Sequence, residues 1–424
     1  VAPGAQLIAL KIANNARGGV SVHGSMVAAL EYAARFASQR NLPLVVNLSF
    51  GVGNEHEGRA VIDSIVDAFL QAHPDVVLTI SAGNDGPGLS TLGFPGSADL
   101  ALAVGATYPG VFAQAPQPGA PPAPDALGWF SARGGELAKP DIVTPGVVFS
   151  VVPRWETGDE IKGGTSMAAP YAAGLVACLA SGLALEGRRV SAAELMQALR
   201  VSARRLPAAG TVDQGFGTPQ LIRAYEWLKA GHQGSTYEVR ASTGGGSSAA
   251  AYRRNGLAGP GDTLETFTVR HVAGLRAAQF LLRADVPWLT APRAVDAAPR
   301  RTEIAVTYAR AALTAPGLYV GTVSAWNPSD TLAGPLFRLV NTIVVPHDLH
   351  AKPLLDERRR VGAAAVRRYF LRVAQEGATL RATVVLPDSQ REQAIVRLYE
   401  PNGAPARAAP GDIDLGGEEG EGTA

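Results

Sequence analysis

The sequence has 424 residues, of which 46% are hydrophobic and 18% are charged, and its formal net charge is +1. This composition is typical of a globular protein with a sizeable core and excludes a largely disordered chain. The length predicts two or three domains, since a domain usually takes about 150 residues. A charge so close to zero gives no reason to expect nucleic acid or an anionic membrane as a partner.

The cysteine content and the apolar runs indicate which structural features we expect the protein to lack. Cys178 is the only cysteine, which excludes an intrachain disulfide framework and a cysteine-based zinc site. We predict no cofactor and assign no metal ligands. We find no run of about 18 apolar residues and therefore predict no segment that spans a bilayer. The chain begins at Val1 without an initiating Met, so we expect it to be part of a longer polypeptide.

The first half of the sequence alternates short apolar runs with helical patterns. The apolar runs predict strands at 7–12, 44–48, 76–81 and 101–105, and the helical patterns predict helices at 26–37, 61–70, 166–182 and 216–230. Ser191 followed by Glu194 predicts a capping box at the start of a further helix. Such alternation is typical of an α/β domain in which helices cover both faces of a parallel sheet.

The pattern changes after Gly231. Residues 242–251 are rich in Gly, Ser and Ala, as in a linker or a long loop. Strand-like segments separated by Pro or Gly follow and predict a β sandwich, at 265–270, 304–308, 319–324 and 337–345. We therefore predict an α/β domain over 1–232, a β-sandwich domain over 233–347, the start of a second β domain over 348–410, and a disordered acidic tail over 411–424.

The strongest chemical signal is the string Gly-Gly-Thr-Ser-Met-Ala-Ala-Pro at residues 163–170. A serine hydroxyl becomes a nucleophile only in a fixed, exposed position beside a base. The glycines allow a close backbone approach, and the helix that begins here directs free N–H groups at developing negative charge. A Gly-rich turn with an N-cap serine is the structural alternative. Because Ala168 replaces the last glycine of Gly-x-Ser-x-Gly, the string is not that of an α/β-hydrolase.

A second motif, Ser-Ala-Gly-Asn-Asp-Gly at residues 81–86, follows a predicted strand. Alone it is a good turn sequence. Found after a predicted strand, with Asn84 lying 82 residues before Ser166, it becomes a more specific signal.

Both motifs resemble those of the subtilase family of serine peptidases, and residues 47–51 (Asn-Leu-Ser-Phe-Gly) resemble its Asn-x-Ser-x-Gly segment. The resemblance implies a subtilisin-like parallel-sheet domain that is incomplete at its N-terminus. It implies hydrolysis of peptide bonds through an acyl-enzyme on Ser166, with Asn84 and the Ser166 backbone N–H holding the oxyanion. It also implies a set of substrate-binding residues: Gly18, Gly19, Ser49, Phe50, Gly51, Ser81, Ala82 and Gly83.

The same resemblance places the family's catalytic Asp and His before residue 1. Subtilases run in the order Asp, His, Ser along the chain, and a string like Val-Ala-Pro-Gly at residues 1–4 follows the histidine in that family. We interpret His23 as a residue on the rim of the cleft or on the surface. We expect residues 1–424 alone to have no more than residual activity.

Residues 81–97, 214–228 and 326–340 resemble tripeptidyl-peptidase II and its bacterial relatives more than the small secreted subtilisins. That family binds the free N-terminus of its substrate with two glutamates, and the matching positions here are Ser21 and Val52. A buried ammonium needs a nearby anion. Because Ser21 and Val52 supply none, we predict an endopeptidase rather than an enzyme that binds the free N-terminus of its substrate.

Two alternatives remain: a tripeptidyl-releasing exopeptidase, and a non-catalytic binding or assembly module derived from a subtilase. Glu55 and Glu57 lie near the second glutamate position, although their spacing differs from that of the family. The expected partner is a peptide or polypeptide substrate, and the resemblance also implies a homo-oligomer. It indicates a cytoplasmic protein by likeness to tripeptidyl-peptidase II and a secreted one by likeness to other subtilases, so the location stays open.

Overall fold

A computed structural model describes residues 2–14, 16, 20–21, 23–53, 57–113, 123–151, 159–207, 209–243, 248–359, 365–373, 380–385, 394–406 and 413–414. The helices are α1 His23–Gln39, α2 Val61–Ala72, α3 Gly110–Ala113, α4 Thr165–Leu185, α5 Ala192–Ser202, α6 Thr211–Gln214 and α7 Leu221–Lys229. The strands of the first half are β1 Ala13–Asn14, β2 Val20–Ser21, β3 Val45–Leu48, β4 Val77–Ser81, β5 Leu102–Tyr108, β6 Ala126–Leu127, β7 Ile142–Pro145, β8 Val147–Val151 and β9 Asp159–Gly163. The strands of the second half are β10 Ser235–Ala241, β11 Ala251–Arg253, β12 Leu264–Gly274, β13 Gln279–Ala284, β14 Leu289–Thr290, β15 Ala294–Asp296, β16 Thr302–Tyr308, β17 Gly317–Trp326, β18 Pro335–Val345, β19 His347–Asp348, β20 Leu371–Arg372, β21 Ala382–Thr383 and β22 Ile413–Asp414.

A parallel sheet forms the centre of the first half, with β3, β4, β5 and β7 side by side and β6 antiparallel to β5. Every residue of β4 is buried because helices cover both faces. Val77 belongs to the core formed with α4, α5 and α7, whereas Leu78 and Ile80 belong to the core formed with α1 and α2. The predicted α/β class is confirmed.

The long helix α4 lies at the centre of this domain. It is long and apolar enough to cross a membrane by length and composition, so the expectation that the chain holds no such run is wrong for residues 165–185. Here α4 packs against the sheet through small side chains, with Ala168, Ala169, Ala172 and Val176 fully buried. Small residues let the helix backbone come close to the sheet, which brings the start of α4 to the strand ends.

Two predicted elements differ from the structure. Residues 7–12 are not a strand, since no strand pairs with them in the described part of the chain, and Leu7 is 93% exposed. The last helix of the α/β domain begins at Leu221 rather than at residue 216, because Thr218 pairs with Arg204 in a short bridge and Gly217 has a φ of +111°. The predicted capping box of α5 is confirmed: Ser191 Oγ accepts from Glu194 N at 3.3 Å.

The second half contains a β sandwich, as predicted. One sheet has the order β10-β12-β16-β14 and the other β11-β18-β17-β13-β15. Residues of β16 alternate strictly between buried and exposed, as expected where one face of a sheet meets the core and the other meets solvent. The inner faces meet around Phe267, Phe280, Ile304 and Leu339.

The sandwich contacts the α/β domain through side chains of α5 and α7. Gln197 Nε2 donates to Pro335 O at 2.7 Å, and Trp227 Nε1 donates to Ala333 O at 3.2 Å. The predicted boundaries at residues 232 and 347 stay predictions. Most of the predicted tail lies outside the described residues, and Ile413–Asp414 pairs with Ala382–Thr383.

Candidate active site

Ser166 is the second residue of α4 and is half-buried. The helix begins here because Gly164 adopts a φ of +149°, a conformation that favours glycine. Gly164 N donates to Gly146 O at 2.8 Å, and Thr144 Oγ1 donates to Ala168 O at 2.7 Å. Two hydrogen bonds from the β7 region therefore fix the first turn of α4 and the position of Ser166.

Asn84 lies three residues beyond the end of β4 and is exposed. Its Oδ1 accepts hydrogen bonds from Thr165 N at 2.9 Å and from Thr165 Oγ1 at 3.0 Å. Gly83 N, one residue earlier, donates to the same Thr165 Oγ1 at 3.2 Å. Because Thr165 takes the oxygen of the carboxamide, Nδ2 is left to donate elsewhere, and it has no hydrogen-bond acceptor among the residues that the structure describes.

The two candidate oxyanion donors border one small space. A Cβ atom built on Gly164 would lie 3.5 Å from Asn84 Nδ2 and 3.7 Å from Ser166 N. The space is open only because residue 164 has no side chain. Two N–H donors that border one space are the kind of arrangement that stabilises an oxyanion during acyl transfer. The structure thus brings Ser166 and Asn84 together at the start of α4.

The segment that follows β3 lies against the same turn of α4. Ser49 Oγ donates to the backbone oxygen of Ser166 at 2.8 Å, and Asn47 Nδ2 donates to Ser49 Oγ at 3.1 Å. Phe50 is half-buried against the core of α1 and α2. Gly51 is exposed and leads into a backbone bridge between Val52 and Phe94.

The other predicted substrate-binding residues differ in their access to this space. Ser81 and Ala82 are 5% and 0% exposed, and Ala82 packs beneath the site against Leu92 and Ala132. Gly83 is partly exposed and has a φ of +112°. Gly18 and Gly19 lie outside the described residues.

No histidine ring is hydrogen-bonded to Ser166 Oγ within the described part of the chain. Three described histidines have partners elsewhere: His73 with Glu31 at 3.4 Å, His232 with Asp330 at 2.6 Å, and His271 with Gly274 O at 3.1 Å. His23 is exposed at the start of α1, and His56 lies outside the described residues. Among the described residues, no group of three or more His, Cys, Asp or Glu could hold a metal ion.

Glu57 supports the loops beneath the site, a role that the sequence did not reveal. Its side chain is buried, and its carboxylate accepts from Leu92 N at 2.9 Å, Glu136 N at 3.1 Å and Leu137 N at 3.3 Å. Burial raises the pKa of the Glu57 carboxyl to about 8, although the N–H of Leu92 favours the ionised form. Glu57 thus joins loops inside the protein. Glu55, its neighbour near the second glutamate position of tripeptidyl-peptidase II, lies outside the described residues.

A buried charge cluster, formed by Arg133, Asp213 and Arg368, was also missed. Arg133 is 1% exposed, with Nε 3.5 Å from Asp213 Oδ1, and Arg368 donates to the same Oδ1 at 2.6 Å. Burial would raise the pKa of the Asp213 carboxyl, but Arg368 and then Arg133 hold that pKa below its ordinary value. No local pattern signals this cluster, because its members come from three distant parts of the chain.

The chain is similar to several known proteins. The family model described as the subtilase family, Peptidase_S8, matches residues 1–218. The chain is 26% identical to tripeptidyl-peptidase 2 of Caenorhabditis elegans over 410 residues, which are 91% of this chain and 29% of that protein. It is 31% identical to pyrolysin of Pyrococcus furiosus over 256 residues, which are 54% of this chain and 18% of pyrolysin.

Among solved structures, the crystal structure of tripeptidyl peptidase 2 matches with a TM-score of 0.64 at 22% identity, over 82% of this chain and 28% of that one. That likeness shows the fold. The chain spans less than a third of the length of these relatives. The predicted family resemblance and the subtilisin-like parallel-sheet fold are confirmed. With a family model that covers half of its length and includes the string at residues 163–170, the chain belongs to the subtilase family of serine peptidases.

Proposed function

We propose that Ser166 is the nucleophile of a serine endopeptidase that hydrolyses peptide bonds through an acyl-enzyme. The observation that carries this proposal is the pair of donors, Asn84 Nδ2 and Ser166 N, around one point at the start of α4. Ser166 Oγ bonds to the scissile carbonyl carbon as a base takes its proton, and the carbonyl oxygen becomes the oxyanion between these donors. The amine then leaves with that proton, and water hydrolyses the remaining ester.

The general base and its carboxylate partner belong, in this proposal, to residues outside 1–424. The described histidines support this placement, because none of them is hydrogen-bonded to Ser166 Oγ and three are engaged elsewhere. Residues 1–424 alone would then hold the nucleophile and the oxyanion donors without the group that activates the nucleophile.

The endopeptidase mode is supported by the two uncharged residues, Ser21 and Val52, at the positions that match the family's substrate-binding glutamates. Val52 carries no charge, and the nearby Glu57 is buried with its carboxylate on three backbone N–H groups. A free N-terminal ammonium would lose its hydration there without the two family glutamates to compensate, since the matching positions here are Ser21 and Val52. A substrate that continues through the cleft as neutral peptide does not pay this cost.

An irreversible phosphonofluoridate reagent tests the nucleophile directly. In the protein as its gene encodes it, we expect one covalent adduct per chain, located on Ser166 by mass spectrometry of peptides. The same reagent should leave the Ser166→Ala variant unmodified, and residues 1–424 expressed alone should react at no more than a residual rate. A folded, gene-encoded protein with no adduct on Ser166 would favour the non-catalytic module instead.

A pair of matched peptides tests the cleavage mode. We expect a peptide with an acetylated N-terminus and the same peptide with a free amine to be cleaved with kcat/KM values within about threefold of each other, because neither Ser21 nor Val52 supplies an anion that would distinguish them. An enzyme that binds the ammonium would instead discriminate strongly, since acetylation would leave its carboxylates unpaired. Release of tripeptides from the free-amine peptide alone would contradict endopeptidase activity and establish the exopeptidase alternative.

A further inference from the structure

The loop that carries Asn84 is held on its inner side by the α/β domain. We call residues 84–90 the oxyanion loop. Gly86 N donates to Phe130 O at 2.9 Å, and Ser90 N donates to Gly134 O at 3.2 Å. A Cβ on Gly86 would lie 1.9 Å from Ser131 O, so the inner contact leaves no space for a side chain there. This side of the loop packs tightly against residues 130–134.

The outer side of the oxyanion loop is covered by the C-terminal arm, which we define as residues 365–373 and 394–406. Tyr399 makes the contact next to the active site: its hydroxyl donates to Asp85 O at 3.0 Å. Its ring lies flat enough on Gly88 that a Cβ there would come within 2.7 Å of a ring carbon. Tyr399 therefore contacts the loop one residue after Asn84 and again three residues later.

Two further contacts of the arm hold the rest of the loop. Arg368 donates from Nε and from a terminal nitrogen to Pro87 O, at 3.1 and 2.9 Å. The turn at Gly403 lies against Ser90, because a Cβ on Gly403 would be 1.9 Å from Ser90 O. The arm is anchored in turn to the sandwich, since Arg254 Nε donates to Pro401 O at 2.6 Å.

The oxyanion loop has no helix or strand of its own over residues 84–90, so its shape depends on these two sets of contacts. Ser90 has a φ of +56°, a conformation that a non-glycine residue keeps only where its surroundings impose it. Thr165 fixes the carboxamide oxygen of Asn84, but the backbone that carries Asn84 continues directly into the peptide held by Tyr399.

From these contacts we infer that Tyr399 is a positioning residue for catalysis: through Asp85 it holds the Asn84 carboxamide at the oxyanion. This inference rests on the proposed function of Ser166 and Asn84. It gives the segment beyond the sandwich a part in the chemistry of the first domain. Tyr399 should therefore affect kcat rather than KM, because the oxyanion exists only once the carbonyl has been attacked.

The test compares Tyr399→Phe and Tyr399→Ala in the protein as its gene encodes it. Tyr399→Phe keeps the ring on Gly88 and loses the bond to Asp85 O, so kcat falls about three- to tenfold, and Tyr399→Ala lowers it about 10- to 100-fold, since small displacements of a catalytic donor are costly. KM stays within about twofold in both variants. The matched control is Tyr369→Ala, an arm tyrosine whose ring faces His347 and whose loss leaves kcat unchanged.

A double-mutant cycle with Asn84→Ala separates positioning from a general loss of structure. If Tyr399 acts through Asn84, the Tyr399→Phe substitution has no further effect on kcat in the Asn84→Ala background. An equal loss of kcat in both backgrounds, or a wild-type kcat for Tyr399→Phe while Ser166→Ala is inactive, overturns the inference and leaves the proposed function intact. Wild-type activity of Ser166→Ala overturns both.

Discussion

Replacement of Asn84 by alanine is expected to lower kcat by about 100- to 1000-fold, the loss found when one oxyanion donor is removed, as measured in a subtilisin itself. KM should change little, because the substrate carbonyl carries full negative charge only after Ser166 has attacked it. The measurement is steady-state hydrolysis of a chromogenic peptide by the protein as its gene encodes it.

The structure explains why the loss of this carboxamide should affect the oxyanion. Thr165 holds Oδ1, so the carboxamide is fixed with Nδ2 near the space beside Gly164. Alanine removes the donor and, with it, the Oδ1 acceptor of Thr165 N and Thr165 Oγ1. Asn41→Gly is the matched control, since Asn41 is an exposed carboxamide with a φ of +52° that glycine tolerates, and it should leave kcat unchanged. A loss of less than about threefold for Asn84→Ala would be too small for an oxyanion donor.

The parts of this site that the sequence predicted are those encoded by local backbone requirements. The string at residues 163–170 contains Gly164, whose positive φ favours glycine, followed directly by the start of an apolar helix. Both features can be recognised from consecutive residues in the sequence. The strands of the sandwich could also be predicted from the sequence. Residues that face the core alternate along such a strand with residues that face solvent, as they do in β16.

The parts that were missed depend on partners that are distant in the chain. Arg133 reaches the backbone of Asp213 from 80 residues away, and Arg368 reaches the Asp213 carboxylate from 155 residues away. Glu57 was noted in the sequence. The sequence could not show that its side chain is buried and accepts hydrogen bonds from three backbone N–H groups. Residues 7–12 have the composition of a strand, yet a strand also needs a neighbour to take its hydrogen bonds, and composition does not supply one.

Substitution Asp213→Asn is expected to lower the free energy of unfolding at pH 7 by about 3–5 kcal/mol, because it removes the carboxylate that pairs with two largely buried guanidinium groups. Asparagine keeps the shape of the side chain and an oxygen that can accept from Gly210 N, as Asp213 Oδ2 does at 2.9 Å. The loss of unfolding free energy therefore measures the effect of the negative charge on Asp213. Urea unfolding measures it, and Asp75→Asn, at an exposed aspartate, should change the free energy by no more than about 0.5 kcal/mol.

The same variant should also remove an acid dependence of stability. The pKa of Asp213 is lowered in the folded state, since Arg368 and Arg133 outweigh the opposing effect of burial. A lowered pKa contributes stability that is present above the ordinary aspartate pKa of about 3.9 and is lost as the pH falls through the folded-state value. The difference between wild type and Asp213→Asn should accordingly be largest and constant near neutral pH and should shrink below about pH 4. A difference that stays the same down to pH 2 would mean that the Asp213 carboxylate does not compensate the two arginines.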